Sequence, residues 1–181
     1  MCFARLCALL AAAAWAAAAA PAPGRDGSEA GDGAARAAAA FELQDQFGAS
    51  HAVRFPRAAV SVVMLADREG SEQLEAWIRP LCTRYPNGGV DLLGVARLDA
   101  VPRALRPLVR ALFRRNSAYP VMMDWTGDVT EAYDGAEGRA TLVVIDRAGR
   151  IQHRVDGPAN ERALEDCCRR IDDLLVAPAA E

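Results

Sequence analysis

Four short apolar runs recur along the chain, and they constrain its fold more than any other feature. Residues 60–66 (VSVVMLA) are continuous, partly β-branched and too short for an ordinary helix, so they read as a strand buried on both faces. Residues 91–96, 120–123 and 141–145 read the same way. Between these runs the apolar period changes to three and four. Residues 71–85 place Leu74, Trp77, Ile78 and Leu81 on one helical stripe, with Ser71 as N-cap and Glu72 and Glu75 near the positive helix start. Residues 102–115 place Leu105, Leu108, Val109, Leu112 and Phe113 on a second stripe. Asn160 caps a third helix carrying Leu164, Cys167, Cys168, Ile171, Leu174 and Leu175. Asp146-Arg-Ala-Gly149 is a turn that joins residues 141–145 to 150–155 as a hairpin. The order β, α, β, α, β, short helical turn, hairpin, α predicts an α/β chain with a mixed sheet sandwiched between helices.

Composition limits what such a chain does. Its 21 basic residues, all arginine, stand against 24 acidic ones for a net charge of −3, which argues against binding nucleic acid through bulk positive potential. The 52% hydrophobic fraction excludes a wholly disordered polymer. Residues 1–20 have a short start carrying Arg5 and then an apolar run ending in small residues, the pattern of a secretory signal peptide. This predicts a periplasmic or extracellular protein, the alternative being an uncleaved N-terminal anchor. Residues 21–40 mix Pro, Gly, Ala and Asp without a large apolar side chain and read as a flexible linker. The folded domain is expected at residues 41–177.

Three strings in that domain carry a family resemblance. Phe41-Glu-Leu-Gln-Asp-Gln-Phe-Gly48, Tyr119-Pro-Val-Met-Met-Asp124 with Gly127, Val129 and Tyr133, and residues 140–151 (ATLVVIDRAGRI) resemble successive segments of thioredoxin-like proteins of the redoxin type, the alkyl hydroperoxide reductase/thiol-specific antioxidant group. The resemblance implies a thioredoxin-like three-layer α/β/α sandwich closed by a β-hairpin and a helix. It also implies a reactive cysteine at the start of the helix after the first buried strand, where backbone N–H groups and the helix field favour a thiolate. Here Asp67-Arg-Glu-Gly-Ser-Glu72 fills that place, and the two positions of a C-x-x-C pair fall on Glu69 and Glu72. No cysteine occurs between Phe41 and Leu81. The family's cis-proline would match Ala140, so the Arg139–Ala140 bond is expected to be trans. Asp67, Glu69, Glu72 and Ala140 therefore mark a degenerate site. A carboxylate there keeps the negative charge without the redox chemistry; the plainer reading is ordinary acidic residues at a helix start.

Other chemistry is sparse. Without the signal peptide the cysteines are Cys82, Cys167 and Cys168. All three fit helix stripes as small buried residues. In the arrangement that the resemblance implies, Cys82 shares a side of the sheet with the last helix and could pair with Cys167 or Cys168. His51 and His153 lie far apart without ligand spacing, the carboxylates of Asp67, Glu69 and Glu72 lack a regular oxygen-ligand pattern, and no phosphate loop or nucleophile elbow occurs. No cofactor or metal is implied. Arg103, Arg106, Arg110 and Arg114 recur at helical spacing as a basic face opposite the second apolar stripe, either simply solvated or able to meet an acidic partner or anionic lipid headgroups. The sequence thus predicts an exported, non-redox binding or structural module. The rival is a thiol-disulfide oxidoreductase or peroxidase using Cys82, Cys167 or Cys168. Partner and oligomeric state are left open.

Overall fold

The computed structural model describes residues 36–86 and 88–177, so the predicted signal peptide and most of the linker lie outside the described residues. Strands β1 (Phe41–Gln44) and β2 (Ser50–Val53) form an antiparallel ribbon. The main sheet has the order β5-β4-β3-β6-β7. In it β3 (Val60–Ala66), β4 (Val90–Arg97) and β5 (Met122–Asp124) run parallel, β6 (Thr141–Ile145) runs antiparallel to β3, and β7 (Ile151–Asp156) runs antiparallel to β6.

Every residue of β3 is buried, as an uninterrupted apolar run demands of a central strand. Its side chains alternate between two cores. Val60, Val62 and Met64 pack with Trp77, Ile78, Leu81, Cys167 and Ile171 under α2 (Leu74–Arg84) and α5 (Glu161–Val176). Val63 and Leu65 face the opposite way, with Val95, Met122, Val143 and Tyr133, beneath the β1–β2 ribbon and α4 (Asp128–Ala132). Trp77 is fully buried and its indole N–H donates to the Gly157 carbonyl at 2.9 Å, which satisfies the one polar atom it carries inside. Asn160 caps α5 by accepting the Ala163 amide at 2.9 Å. The predicted hairpin is present, closed by Asp146, whose carboxylate accepts the Arg150 amide at 2.8 Å.

Three expectations need correction. The predicted helix over residues 71–85 is two pieces, α1 (Arg68–Ser71) and α2, and the N-cap is Asp67 rather than Ser71. The helix over residues 102–115 begins as a 3-10 turn (Arg103–Leu105) and continues as α3 (Arg106–Asn116), but none of its residues is buried. Leu108 of its supposed core stripe is 58% exposed. Residues 36–40, placed in the linker by composition, run beside the hairpin: Ala37 bridges Arg150, and the Ala38 amide donates to the Gly149 carbonyl at 2.7 Å.

Two outcomes follow from this packing. Truncating Trp77→Ala removes a fully buried indole and should cost about 3–5 kcal/mol in chemical denaturation. His153 lies half-buried on β7, and its Nε2 has no partner. Burial lowers its pKa, outweighing Asp166 nearby, and Arg170 and Arg169 add to the lowering. The fold therefore holds His153 neutral while the unfolded chain takes up a proton, so stability is full above the ordinary histidine pKa and falls as pH drops below it. Denaturation midpoints measured between about pH 7 and 5 should decline, and His153→Gln should flatten the decline.

Candidate functional site

The carboxyl end of β3 delivers the chain to Asp67. Its backbone is extended, and one carboxylate oxygen accepts the Gly70 amide at 2.8 Å, the geometry of an N-cap. The second oxygen accepts the Gly138 amide at 2.6 Å, across to the loop before β6. Gln73, in the break between α1 and α2, repeats this link. Its Nε2 donates to the Gly138 carbonyl, and its Oε1 accepts the Ala140 amide, each at 3.1 Å. Two side chains thus occupy the polar backbone groups that this loop turns toward the helix start.

Backbone packing completes the closure. A Cβ on Gly70 would stand 2.4 Å from the carbonyl carbon and oxygen of Arg139, so only glycine allows this approach. Ala140 is fully buried. Phe55–Pro56 is the one cis bond among the described residues, so the Arg139–Ala140 bond is trans. Of the four residues marked from sequence, the structure brings Asp67 and Ala140 together at this junction. Glu69 and Glu72 are exposed at the surface. Gln73, Gly70 and Gly138 were missed. Their partners lie more than sixty residues away and leave no local signal.

Beside the junction, at the ends of β4 and β5, a cleft of about 320 Å³ is lined by Arg97, Asp99, Gly127, Glu131 and Asp134. Arg97 forms a fork with Asp99, both bonds 3.0 Å. Arg97 holds the Asp99 carboxyl below the usual carboxylate range, against the opposing effect of burial. Buried Asp124 is spent on structure, accepting the amides of Gly127 and Thr130 and the Thr130 hydroxyl. Among the described residues no group of His, Cys, Asp and Glu could hold a metal ion.

The thiols lie elsewhere. Cys82 is buried near the far end of α2, about 12 Å along the helix from its start at 1.5 Å per residue. It shares a core with Cys167, with Cys168 packed against that core, so α2 and α5 do lie on one side of the sheet. Cys167 and Cys168 are free, and no bridge to Cys82 is formed. Burial pushes the Cys167 thiol up to about 12 and raises Cys168 as well. Neither environment favours a thiolate.

The arginines marked from sequence as a basic face, either solvated or open to an acidic partner, are brought together along the 3-10 turn and α3. Arg106 and Arg110 are only partly exposed, and Arg106 lies over the Trp125 ring, 5.1 Å from its centroid. Arg106, Arg110 and Arg114, with Arg103, line a second cleft with Trp125, so the basic stripe turns partly inward while Leu108 points out.

These features define a thioredoxin-like fold, and solved structures agree. The chain is similar to a thioredoxin-family thiol:disulfide interchange protein from Chlorobium tepidum, at 19% identity and a TM-score of 0.57 over 80% of this chain and 99% of that one. It is similar to the exposed lipoprotein thioredoxin Etrx1 from Streptococcus pneumoniae, at 16% identity and 0.57 over 72% and 98%. It is also similar to StoA from Bacillus subtilis, at 15% identity and 0.54 over 71% and 95%. No family model and no curated protein matches the chain.

The close approach at Gly70 is testable. Gly70→Ala forces the junction apart and should cost about 1–3 kcal/mol in chemical denaturation, whereas Glu69→Ala, on the exposed side of the same turn, should stay within about 0.5 kcal/mol.

Proposed function

We propose that this protein is an exported thioredoxin-like module of redoxin ancestry that binds a partner and carries out no thiol chemistry. The observation that supports this reading is the sealed junction between residues 67–73 and 138–140. Where the fold's redox members carry a thiol, Asp67 and Gln73 hold the opposing loop by the Gly138 and Ala140 amides. A carboxylate there retains the charge that a helix start stabilises, and it cannot cycle electrons. Fold alone does not carry activity without its site. Export rests on the N-terminal apolar run, and a similar structure is described as an exposed lipoprotein.

A second reading is favoured by the neighbour described as a thiol:disulfide interchange protein. It would make Cys82, Cys167 or Cys168 the reactive thiol. Insulin reduction and peroxide consumption by the purified full chain separate the two. The binding module gives rates at background, and its cysteines react with a thiol reagent fully only after denaturation. Turnover that disappears in Cys82→Ser or Cys168→Ser overturns the proposal.

A further inference from the structure

The segment from Ala100 to Met123 contains Arg103, Arg106, Arg110, Arg114 and Arg115 and not one Asp or Glu, in a chain whose acids outnumber its bases by 24 to 21. Elsewhere many arginines are matched: Arg57 pairs with Asp91, Arg84 with Asp172, Arg97 with Asp99 and Arg150 with Asp146. Among the described residues no carboxylate pairs with any arginine of the 3-10 turn or α3. Like charges four residues apart on a helix repel, and Arg106, Arg110 and Arg114 stand at that spacing.

The row is also shaped. Four of its guanidinium groups and the Trp125 ring line an open cleft of about 480 Å³. Arg106 is fixed in it: one terminal nitrogen donates to the Trp125 carbonyl at 3.1 Å, and the group lies over the indole. Its Nε is buried and has no acceptor. At the other end Arg114 is held by its Nε, which donates to the Gln46 carbonyl at 2.5 Å. Arginine has five N–H donors, so both held groups keep donors to spare. Exposed Leu105 and Leu108 rise from the same turn and helix.

We propose that the 3-10 turn, α3 and Trp125 form a docking site for an extended acidic segment of a partner protein. Along α3 the positions 106, 110 and 114 step by about 6 Å each. Alternate residues of an extended chain step by about 6.6 Å, so carboxylates at every second position meet successive guanidinium groups. Free phosphate would engage one or two of the four and leave the others unmatched. A membrane plane would meet the outward side chains and miss Arg106, which is recessed against Trp125. The site does not depend on whether the protein has redox activity.

The test is fluorescence anisotropy of the full chain with a labelled peptide of alternating Glu and Ser, with a Lys and Ser peptide, inorganic phosphate and phosphatidylglycerol vesicles run beside it. The expected result is saturable binding of the Glu peptide alone, weakening as salt rises from about 50 to about 300 mM. Arg106→Ala with Arg110→Ala should weaken it about tenfold or more. Trp125 emission should shift on binding, and the shift should vanish in Trp125→Phe. The side chains of Arg103 and Arg110 make no hydrogen bond or ion pair within the described residues, so the single changes Arg103→Ala and Arg110→Ala carry the test should the double variant not fold. Absence of binding at low salt, equal binding of the Lys peptide, vesicle binding without peptide binding, or undiminished binding by the arginine variants overturns the proposal.

Discussion

Strand β3 is the wall that both cores share. Its seven residues are buried, with Val62 and Met64 supporting one core and Val63 and Leu65 the other. Burying an aliphatic side chain contributes about 1.5–3 kcal/mol, so one strand anchors helices α2 and α5 above and the ribbon and α4 below. Its neighbours are fixed by register: Ala66 pairs with Ala96 of β4, and Leu65 pairs with Thr141, the first residue of β6. The chain that leaves β3 at Asp67 therefore emerges directly beside the loop that enters β6. Nothing bulky fits between them, and a glycine at position 70 is the consequence.

That junction also explains how a fold can keep its shape without a thiol at this place. A helix start presents amides that need acceptors, and the loop before β6 presents more. Asp67 satisfies one of each kind, Gly70 and Gly138, with its two oxygens. Gln73 supplies both a donor and an acceptor to the same loop. A ligand that sought these backbone groups would have to displace side chains already bonded to them. The energetics favour a closed surface here.

Much of the architecture was legible because burial on both faces leaves a strong pattern. β3 and β6 coincide with the predicted runs to the residue. Asn160 was legible as a cap because its partner is three residues away. The choice between Asp67 and Ser71 was not, for both are good caps; contact with residues 138–140 decides it. β2, with the sequence SHAV, has no hydrophobic pattern and exists because β1 pairs with it. Periodicity marked the stripe on α3 as apolar but could not show that Leu105 and Leu108 stay exposed. Of the candidate site, the lack of cysteine was plain from sequence, while the partners of Asp67 and Gln73 and the stacking of Arg106 on Trp125 arise only on folding.

The edges of the sheet bear on where a partner can attach. β5 and β7 are the outer strands, and an open edge invites another chain to pair with it. Both are partly guarded by the segment that precedes β3. Asp45 bridges Met122 of β5, and Ala37 bridges Arg150 at the entrance to β7, with the Arg36 carbonyl accepting the Ile151 amide at 2.8 Å. Gln46 strengthens the first guard: fully buried, it donates to the Tyr119 carbonyl at 2.6 Å and accepts the Val121 amide at 2.8 Å. Strand addition is thus discouraged on both sides, and the loop at the head of α1 is sealed. Arginines without a carboxylate partner gather on the 3-10 turn and α3, where a single sign of charge meets an aromatic ring. A docking surface of the kind proposed selects by charge pattern, and its affinity would reside in the spacing of guanidinium groups that the helix fixes in advance.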